Sequence, residues 1–112
     1  MDDIRAARGD SSRSFCKLPG ERLDDLNRGG LMILQKEKGF RFGTDAVLLA
    51  DFAAPKPSDR VADLGAGGGI LPILMADAAP RARFDAVEWQ TELCDMARRS
   101  VLGNRLEDRV YV

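Results

Sequence analysis

Histidine is absent from this chain of 112 residues, and cysteine occurs only twice, at Cys16 and Cys94. Without histidine the chain can build neither a histidine general base nor a histidine-ligated metal centre, and the wide spacing of the cysteines matches no zinc or redox motif. We therefore expect no metal site and reduced thiols. Long apolar stretches are also missing: none approaches the roughly 18 to 20 residues that cross a bilayer, and the N-terminus has no signal-peptide core. These absences predict a cytoplasmic protein without membrane attachment.

An excess of charge of one sign is missing as well. The 17 basic and 18 acidic residues give a net charge of -1, so the chain has no overall positive field to attract a nucleic acid. Hydrophobic residues make up 45% of the sequence and charged residues 31%, which is ordinary for a soluble globular protein. At this length the sequence predicts one domain or part of one.

The first half of the chain predicts a leader followed by a small lead-in. Residues 1–20 mix Asp, Arg, Gly and Ser with little periodicity, which indicates a flexible leader. Residues 21–57 begin with a predicted β-hairpin, because the apolar run Leu31–Gln35 and the alternating Phe40–Phe42 flank the turn sequence Lys36–Gly39.

A short helix is predicted after the hairpin. Thr44 or Asp45 can cap its first turn with a side-chain oxygen. Pro55 and Pro57 end it, because proline lacks an N–H and clashes with the preceding turn. The residues of this helix that are expected to face the core are Val47, Leu48 and Phe52.

Residues 58–112 carry the pattern of an open α/β sheet. A short buried strand, a glycine-rich loop and an apolar helix are followed by a second strand, a second helix and the start of a third strand. This βαβαβ order predicts an α/β, Rossmann-like fold, in which the chain forms one half of a doubly wound parallel sheet with right-handed crossovers. The predicted elements are strands Arg60–Leu64, Arg83–Val87 and Arg109–Val112 and helices from Ile70 to Ala79 and from Thr91 to Gly103.

The loop after the first of these strands carries the chemistry. It reads Asp63-Leu-Gly-Ala-Gly-Gly-Gly69, and in open α/β sheets ligands bind beyond the carboxyl ends of the strands. Glycine at Gly65, Gly67 and Gly69 lets the chain reverse sharply and lets a ligand lie against the backbone. The N–H groups of the loop and the positive end of the next helix suit a carboxylate.

Glu88 ends the second strand, 19 residues after Gly69. This is near the roughly 20-residue spacing at which a carboxylate meets ribose hydroxyls in dinucleotide-binding folds. A carboxylate suits a vicinal diol because it only accepts hydrogen bonds and the diol offers two donors. The loop and Glu88 together predict a ligand that carries a nucleoside.

Two details select the nucleoside. The nicotinamide fingerprint G-x-G-x-x-G/A would need glycine or alanine where Ile70 or Pro72 stands, and no Gly-Lys-Ser/Thr follows to form a triphosphate-binding loop. Asp63 would repel a pyrophosphate, yet it can pair with the ammonium of an amino-acid group. An amino-acid end joined to a ribose predicts S-adenosyl-L-methionine as the cofactor.

These residues resemble those of a known family. The run from Asp63 to Gly69 is similar to the D-x-G-x-G-x-G motif of Rossmann-like methyltransferases. The segment from Glu21 to Phe52, which contains Phe-Gly-Thr-Asp45, resembles the lead-in of the tRNA(Val) adenine-N6 methyltransferases and their small methyltransferase domain relatives. The resemblance covers about residues 21–112. It implies an S-adenosylmethionine-dependent methyltransferase that modifies N6 of an adenine, with tRNA as its partner.

The same resemblance implies roles for individual residues. It assigns the ribose hydroxyls to Glu88 and closure over the site to Thr44. The residues that it places along the methionine part of the cofactor are Asp63, Gly65, Gly67 and Gly69. The Asn-Pro-Pro-aromatic motif with which the family orients the acceptor amine has no counterpart in these 112 residues, so no catalytic residue is assigned.

Simpler interpretations stand beside these roles. Asp63 could cap N–H groups of its own loop, and Thr44 could be a plain helix cap. Trp89 could stack on adenine or cover the edge of the sheet. The chain as a whole could be a non-catalytic fragment that binds the cofactor or a partner, or it could be an NAD-dependent oxidoreductase.

The paired arginines of the second helix are predicted to lie in solvent. Arg98 and Arg99 follow Glu92 and Asp95 at helical spacings. Such spacing favours ion pairs along an exposed helix face.

Overall fold

The computed structural model describes residues 2–5, 14–39 and 41–112. The strands in these ranges form two antiparallel pairs and one parallel sheet of three strands. In chain order the elements are β1 Asp2–Arg5, β2 Ser14–Lys17, β3 Glu21–Asp25, β4 Met32–Lys36, α1 Thr44–Ala53, β5 Arg60–Leu64, α2 Ile70–Ala78, β6 Arg83–Val87, α3 Thr91–Gly103 and β7 Val110–Tyr111.

The parallel sheet has the strand order β5-β6-β7. Strands β5 and β6 pair from Arg60 opposite Arg83 to Leu64 opposite Val87. Because both strands run in the same direction, the glycine loop after β5 and Glu88 after β6 emerge side by side at one edge of the sheet. The predicted Rossmann-like α/β fold is confirmed, and the predicted bounds of β5 and β6 are those observed.

One face of the parallel sheet forms the core. Helix α2 packs over β6 and β7, where Phe84 and Val110 are buried. On the opposite face Leu64 and Val87 are 78% and 52% exposed. The two faces differ because successive side chains of a strand point to opposite sides of the sheet.

The β3–β4 hairpin is attached to α3 by side chains of the helix. The hydroxyl of Ser100 accepts the N–H of Leu34 at 2.9 Å, and Asn104 Oδ1 accepts the N–H of Met32 at 3.0 Å. Asn104 Nδ2 donates in turn to the Met32 carbonyl at 2.7 Å. Two helix residues therefore pair with the outer edge of β4 as a neighbouring strand would, and they fix where the hairpin lies relative to α3.

The prediction of a flexible leader is wrong for residues 14–20. Strand β2 lies there, and Phe15 is fully buried. A Cβ added at Gly103 would overlap the ring of Phe15, so the end of α3 is shaped to receive this aromatic side chain. A single aromatic residue in a polar segment leaves no periodicity, and for that reason the strand was not predicted. Residues 1 and 6–13 lie outside the described ranges.

One strand of the predicted hairpin is correct, but its predicted partner strand is wrong. Strand β4 matches the apolar run Leu31–Gln35, yet it pairs with β3, which precedes it, and not with Phe40–Phe42. The turn contains Asn27, Gly29 and Gly30, all with positive φ, which reverse the chain between the two strands. Phe40 lies outside the described residues.

The predicted caps of α1 are wrong, and of its predicted inner face only Val47 packs against the core. Gly43 occupies the N-cap position and the helix has no side-chain cap, so neither Thr44 nor Asp45 serves as one. Leu48 and Phe52 are 63% and 87% exposed, and Ala50 is the buried residue of the helix. Helix α1 packs on α2. Small Ala50 permits the close approach that a larger side chain would prevent.

Arg99 ties α3 to the N-terminal strands. Its guanidinium donates to both carboxylate oxygens of Glu21, at 2.6 and 2.8 Å, and to the Cys16 carbonyl at 2.6 Å. It also pairs with Asp95, as the helical spacing predicted. Because 10% of the Arg99 side chain and 9% of the Glu21 side chain are exposed, this ion pair is buried. The prediction that Arg99 lies on a solvated face is wrong.

The charge of Glu21 depends on this arginine. Burial raises the pKa of Glu21, but the hydrogen bonds from Arg99 and Leu18 and the charge of Arg99 outweigh burial and leave the pKa below its ordinary value of 4.5. A carboxyl group whose folded-state pKa is lowered contributes stability above the ordinary value. That contribution is lost as the pH falls through the folded-state pKa.

We expect Arg99→Met to lower the free energy of unfolding at pH 7 by about 3 kcal/mol, because Glu21 would keep a buried charge with only weaker partners. Arg98→Met is the matched control, since Arg98 is exposed, and should change stability by about 0.5 kcal/mol or less. Urea unfolding followed by circular dichroism measures both. The effect of Arg99→Met should shrink as the pH falls from 4.5 through the lowered folded-state pKa of Glu21. Equal stability of the two variants at pH 7 would contradict the buried pair.

Candidate cofactor-binding site

A cavity of about 660 Å³ opens at the carboxyl ends of β5 and β6. The parts of the chain that enclose it are the end of β4 with the segment that leads to α1, the first half of α1, the glycine loop after β5, and the beginnings of α2 and α3. The cavity therefore lies at the edge of the sheet where the sequence predicted a ligand.

The glycine loop presents bare backbone to this cavity. Gly65 and Gly67 have φ values of 79° and 58°, which L side chains rarely adopt. A Cβ added at either position would have no heavy atom within 4 Å, so the space in front of both residues is open. A ligand can therefore lie directly against the loop.

The first N–H groups of the loop are already paired within the protein. Gly65 and Ala66 donate to the Val87 carbonyl at 2.8 and 3.0 Å, and Gly67 donates to Glu88. Gly68, Ile70 and Leu71 also line the cavity, and the first N–H groups of a helix have no intrahelical partner. The donors expected for a ligand carboxylate therefore lie at the end of the loop and in the first turn of α2.

The Glu88 carboxylate connects the glycine loop to the two residues that precede α3. Its Oε2 accepts the N–H of Gly67 at 2.7 Å, and its Oε1 accepts those of Trp89 and Gln90 at 2.8 and 2.9 Å. The hydrogen bonds from Gln90, Gly67 and Trp89, in that order, lower the pKa of Glu88 and outweigh the effect of burial. A carboxylate has about four acceptor positions. One position therefore remains for a hydroxyl group of a ligand.

Asp63 contributes a carboxylate that lacks a partner. Its Oδ2 is inaccessible to solvent and has no hydrogen bond. Burial, and after it the negative charge of Glu88, raises the pKa of Asp63 above its ordinary value of 3.8. Leaving a buried acceptor unpaired costs about 1 to 3 kcal/mol, and more for a charged group. A cation bound in the cavity beside Asp63 would favour the ionised carboxylate and offset the repulsion from Glu88.

The structure brings four of the six predicted site residues to the cavity. These are Asp63, Gly65, Gly67 and Glu88. Gly69 is buried at the beginning of α2, where an added Cβ would stand 3.4 Å from Ala97 Cβ; its backbone allows α2 to approach α3. Thr44 is exposed and does not line the cavity, whereas its neighbour Asp45 does.

An apolar wall completes the cavity and was not predicted from the sequence. Leu34 and Phe42 come from β4 and the segment before α1, and Leu93 and Met96 come from α3. The helical spacing of Leu93 and Met96 marks one apolar face of α3, but spacing alone does not distinguish a cavity wall from the core. Trp89 is 91% exposed and does not line the cavity, so it does not cover the edge of the sheet, and its stacking on adenine stays a prediction.

No group of three or more potential metal-ligating side chains occurs in the part of the chain that the structure describes. Within the same ranges, none of the helices has both the length and the apolar character needed to cross a membrane.

A family model confirms what this geometry and the sequence motif indicate. Residues 37–112 match the model of the methyltransferase small domain. The matched segment contains the glycine loop, Glu88 and the whole of the parallel sheet. The chain belongs to the methyltransferase small domain family, and the predicted family is confirmed.

Two curated relatives share part of their sequence with this chain. A tRNA1(Val) (adenine(37)-N6)-methyltransferase of Aeromonas hydrophila is 33% identical over 73 residues, which are 64% of this chain and 31% of the relative. An enzyme of the same name from Pectobacterium carotovorum is 30% identical over 92 residues, which are 81% of this chain and 37% of the relative. The chain thus spans about a third of the length of the curated relatives it matches.

A solved structure has the same fold. P. horikoshii TYW2, solved in complex with MeSAdo, superposes with a TM-score of 0.69 over 88% of this chain and 37% of its own. Its sequence is 20% identical. At this identity the similarity supports the Rossmann-like fold of the chain.

We expect Asp63→Asn to stabilise the ligand-free chain at pH 7 by about 1 kcal/mol, because it removes a desolvated charge that faces Glu88. A carboxyl group with a raised folded-state pKa contributes stability below its ordinary pKa of 3.8 and loses that contribution as the pH rises through the folded-state value. The gain should therefore vanish in urea unfolding at about pH 3. A variant that is less stable than the wild type at pH 7 would show that Asp63 is a structural cap.

Proposed function

We propose that this chain binds S-adenosylmethionine in the cavity and forms the cofactor-binding part of an S-adenosylmethionine-dependent methyltransferase. The observation that carries this proposal is the pairing of two unlike carboxylates across one open glycine loop. Asp63 has an unpaired buried oxygen, and Glu88 is held ionised with an acceptor position to spare.

The residues of the cavity fit each part of this cofactor. Asp63 can pair with the ammonium of the methionine moiety, and the N–H groups of Ile70 and Leu71 can receive its carboxylate. Glu88 can accept a ribose hydroxyl. Such charge-assisted hydrogen bonds are worth about 1.5 to 3 kcal/mol each. When bound, the cofactor supplies a methyl group activated by a sulfonium; the chain's own residues hold and orient it.

The apolar wall suits the remaining part of the cofactor. Leu93 and Met96 present apolar surface from α3, and Phe42 faces the same cavity from the lead-in segment. A purine ring buries a flat apolar surface, and the thioether of methionine makes favourable contacts with aromatic rings. We therefore assign the adenine to this wall.

The same charges disfavour the NAD-dependent oxidoreductase. A pyrophosphate in the cavity would stand near Asp63 and Glu88, and Asp63 offers no donor to it when ionised. The same two carboxylates attract a cationic ammonium group.

Calorimetric titration separates the two cofactors. We expect S-adenosylhomocysteine, which keeps the ribose and the amino-acid group, to bind the chain, and NADH to show no saturable heat. Binding of NADH without binding of S-adenosylhomocysteine would overturn the proposal.

We propose further that the acceptor of the methyl group is N6 of an adenine in tRNA and that the protein acts in the cytoplasm. The support comes from the names of the two curated relatives and from their identity of 33% and 30% to this chain. Methyl transfer to tRNA that has been produced without modification, followed by nucleoside analysis, tests the acceptor. Methylation of another base, or binding of the cofactor with no transfer, would favour a different substrate or the non-catalytic fragment.

Two ligands distinguish the roles of the two carboxylates. 5′-Methylthioadenosine has the ribose and adenine of S-adenosylhomocysteine but lacks the amino-acid group. Glu88→Ala should weaken the binding of both ligands by about 1 to 3 kcal/mol, because both offer ribose hydroxyls. Asp63→Asn should weaken the binding of S-adenosylhomocysteine by a similar amount and leave the binding of 5′-methylthioadenosine unchanged.

Glu107→Ala is the control for this comparison, since Glu107 is exposed and does not line the cavity. It should bind both ligands as the wild type does. Loss of both ligands in Asp63→Asn would show that Asp63 shapes the loop and does not contact the ligand. Unchanged affinities in Glu88→Ala would remove Glu88 from the site.

A further inference from the structure

The side-chain amide of Gln35 links the hairpin to the wall of the cavity. Its Nε2 donates to Asp24 Oδ2 at 2.6 Å, and its Oε1 accepts the N–H of Phe42 at 3.1 Å. Asp24 Oδ1 accepts in turn from Arg22 Nε at 2.8 Å. Four residues thus form one chain of hydrogen bonds that runs from strand β3 to the segment that precedes α1.

The two ends of this chain differ in rigidity. Arg22 and Gln35 are opposite each other in the β3–β4 ladder, which α3 holds through Ser100 and Asn104. Residues 41–43 have no regular secondary structure. Among the described residues, this segment is joined to other elements by the hydrogen bond from Phe42 to Gln35 and, at its end, by that from Ala46 of α1 to the Gly43 carbonyl. The β3–β4 hairpin therefore holds residues 41–43 in place.

Phe42 matters for the cavity because it lines it, together with Gln35 itself. The ring is partly buried and packs against the hydrophobic core. A shift of the Phe42 backbone would move this ring and change the wall of the cavity. The position of Phe42 thus sets how closely the cavity can enclose a ligand.

Glutamine is suited to this place by its hydrogen-bonding groups. Asp24 only accepts, and the N–H of Phe42 only donates, so the residue between them must both donate and accept. These two neighbours also fix the orientation of the amide, with nitrogen toward Asp24 and oxygen toward Phe42. A glutamate at position 35 would serve Phe42 but would bring a second carboxylate against Asp24.

We propose that Gln35, supported by Asp24, is a positioning residue that holds Phe42 as the wall of the cofactor cavity and so raises the affinity of the chain for its nucleoside ligand. This inference rests on the proposed function, since it concerns the same cavity. Gln35 acts through Phe42 and is not assigned a part in methyl transfer.

Reversal of the hydrogen bond provides a sharp test. In the double variant Asp24→Asn with Gln35→Glu, the asparagine can donate to the glutamate and still accept from Arg22, and the glutamate can still accept from Phe42. The single variant Gln35→Glu places two carboxylates in contact. Gln35→Leu removes both hydrogen bonds with a side chain of similar size. Calorimetry with S-adenosylhomocysteine should give a Kd raised about tenfold for both single variants. The double variant should return to within about threefold of the wild type.

A second measurement does not depend on the ligand. Amide hydrogen exchange of the full chain, followed by NMR, should show Phe42 protected in the wild type, unprotected in Gln35→Leu and protected again in the double variant. The amides of β4 should stay protected in all of them. A purely structural role of Gln35 would change the free energy of unfolding without this pattern of loss and rescue.

The outcomes separate this inference from the proposed function. If the wild type does not bind S-adenosylhomocysteine, both fall. If the wild type binds and Gln35→Leu binds equally well, only the positioning role is overturned. Failure of the double variant to recover affinity and Phe42 protection, while it remains folded, overturns it as well.

Discussion

The three hydrogen bonds that the Glu88 carboxylate accepts hold the site together. They connect Gly67, in the loop after β5, to Trp89 and Gln90, which precede α3, and both segments lie at the carboxyl ends of neighbouring parallel strands. The loop could otherwise sample many conformations, because glycine has the least restricted backbone. One side chain therefore fixes the loop, satisfies N–H groups at the beginning of a helix and places a negative charge at the cavity.

In this arrangement the charge of Glu88 destabilises the ionised form of Asp63. Glu88 stays ionised because backbone N–H groups surround it, whereas Asp63 is desolvated and lacks a partner for Oδ2. Two carboxylates at one cavity repel each other, and a binding site that keeps such a pair is less stable empty than it could be. A ligand with a positive charge near Asp63 and hydroxyl groups near Glu88 resolves both features at once, which is why the geometry favours S-adenosylmethionine over a dinucleotide.

Much of the fold follows from local features of the sequence. The strands β5 and β6 are short apolar runs between clear breaks, and their ends were predicted to the residue. The glycine loop and Glu88 follow from spacing along the chain. Gly69 belongs to the same motif, but only the packing of α2 on α3 shows that its missing side chain makes room for Ala97 and not for a ligand.

The rest depends on contacts between residues far apart in the sequence. Arg98 and Arg99 are equivalent in any local analysis, and only the docking of β3 on α3 makes one of them a buried partner of Glu21. The true hairpin partner of β4 and the amide of Gln35 are likewise defined by cross-strand pairs. Such contacts leave no periodicity, so the N-terminal part of the cavity could not be derived from the sequence.

The role of this cavity can be tested through the pKa of the Asp63 carboxyl group, measured by carbon-13 NMR in the presence and absence of S-adenosylhomocysteine. We expect a pKa above the ordinary 3.8 in the free chain, because of burial and the charge of Glu88, and a clear fall when the ammonium of the ligand binds. A pKa of Asp63 that stays unchanged in the saturated complex would contradict the assignment of this cavity.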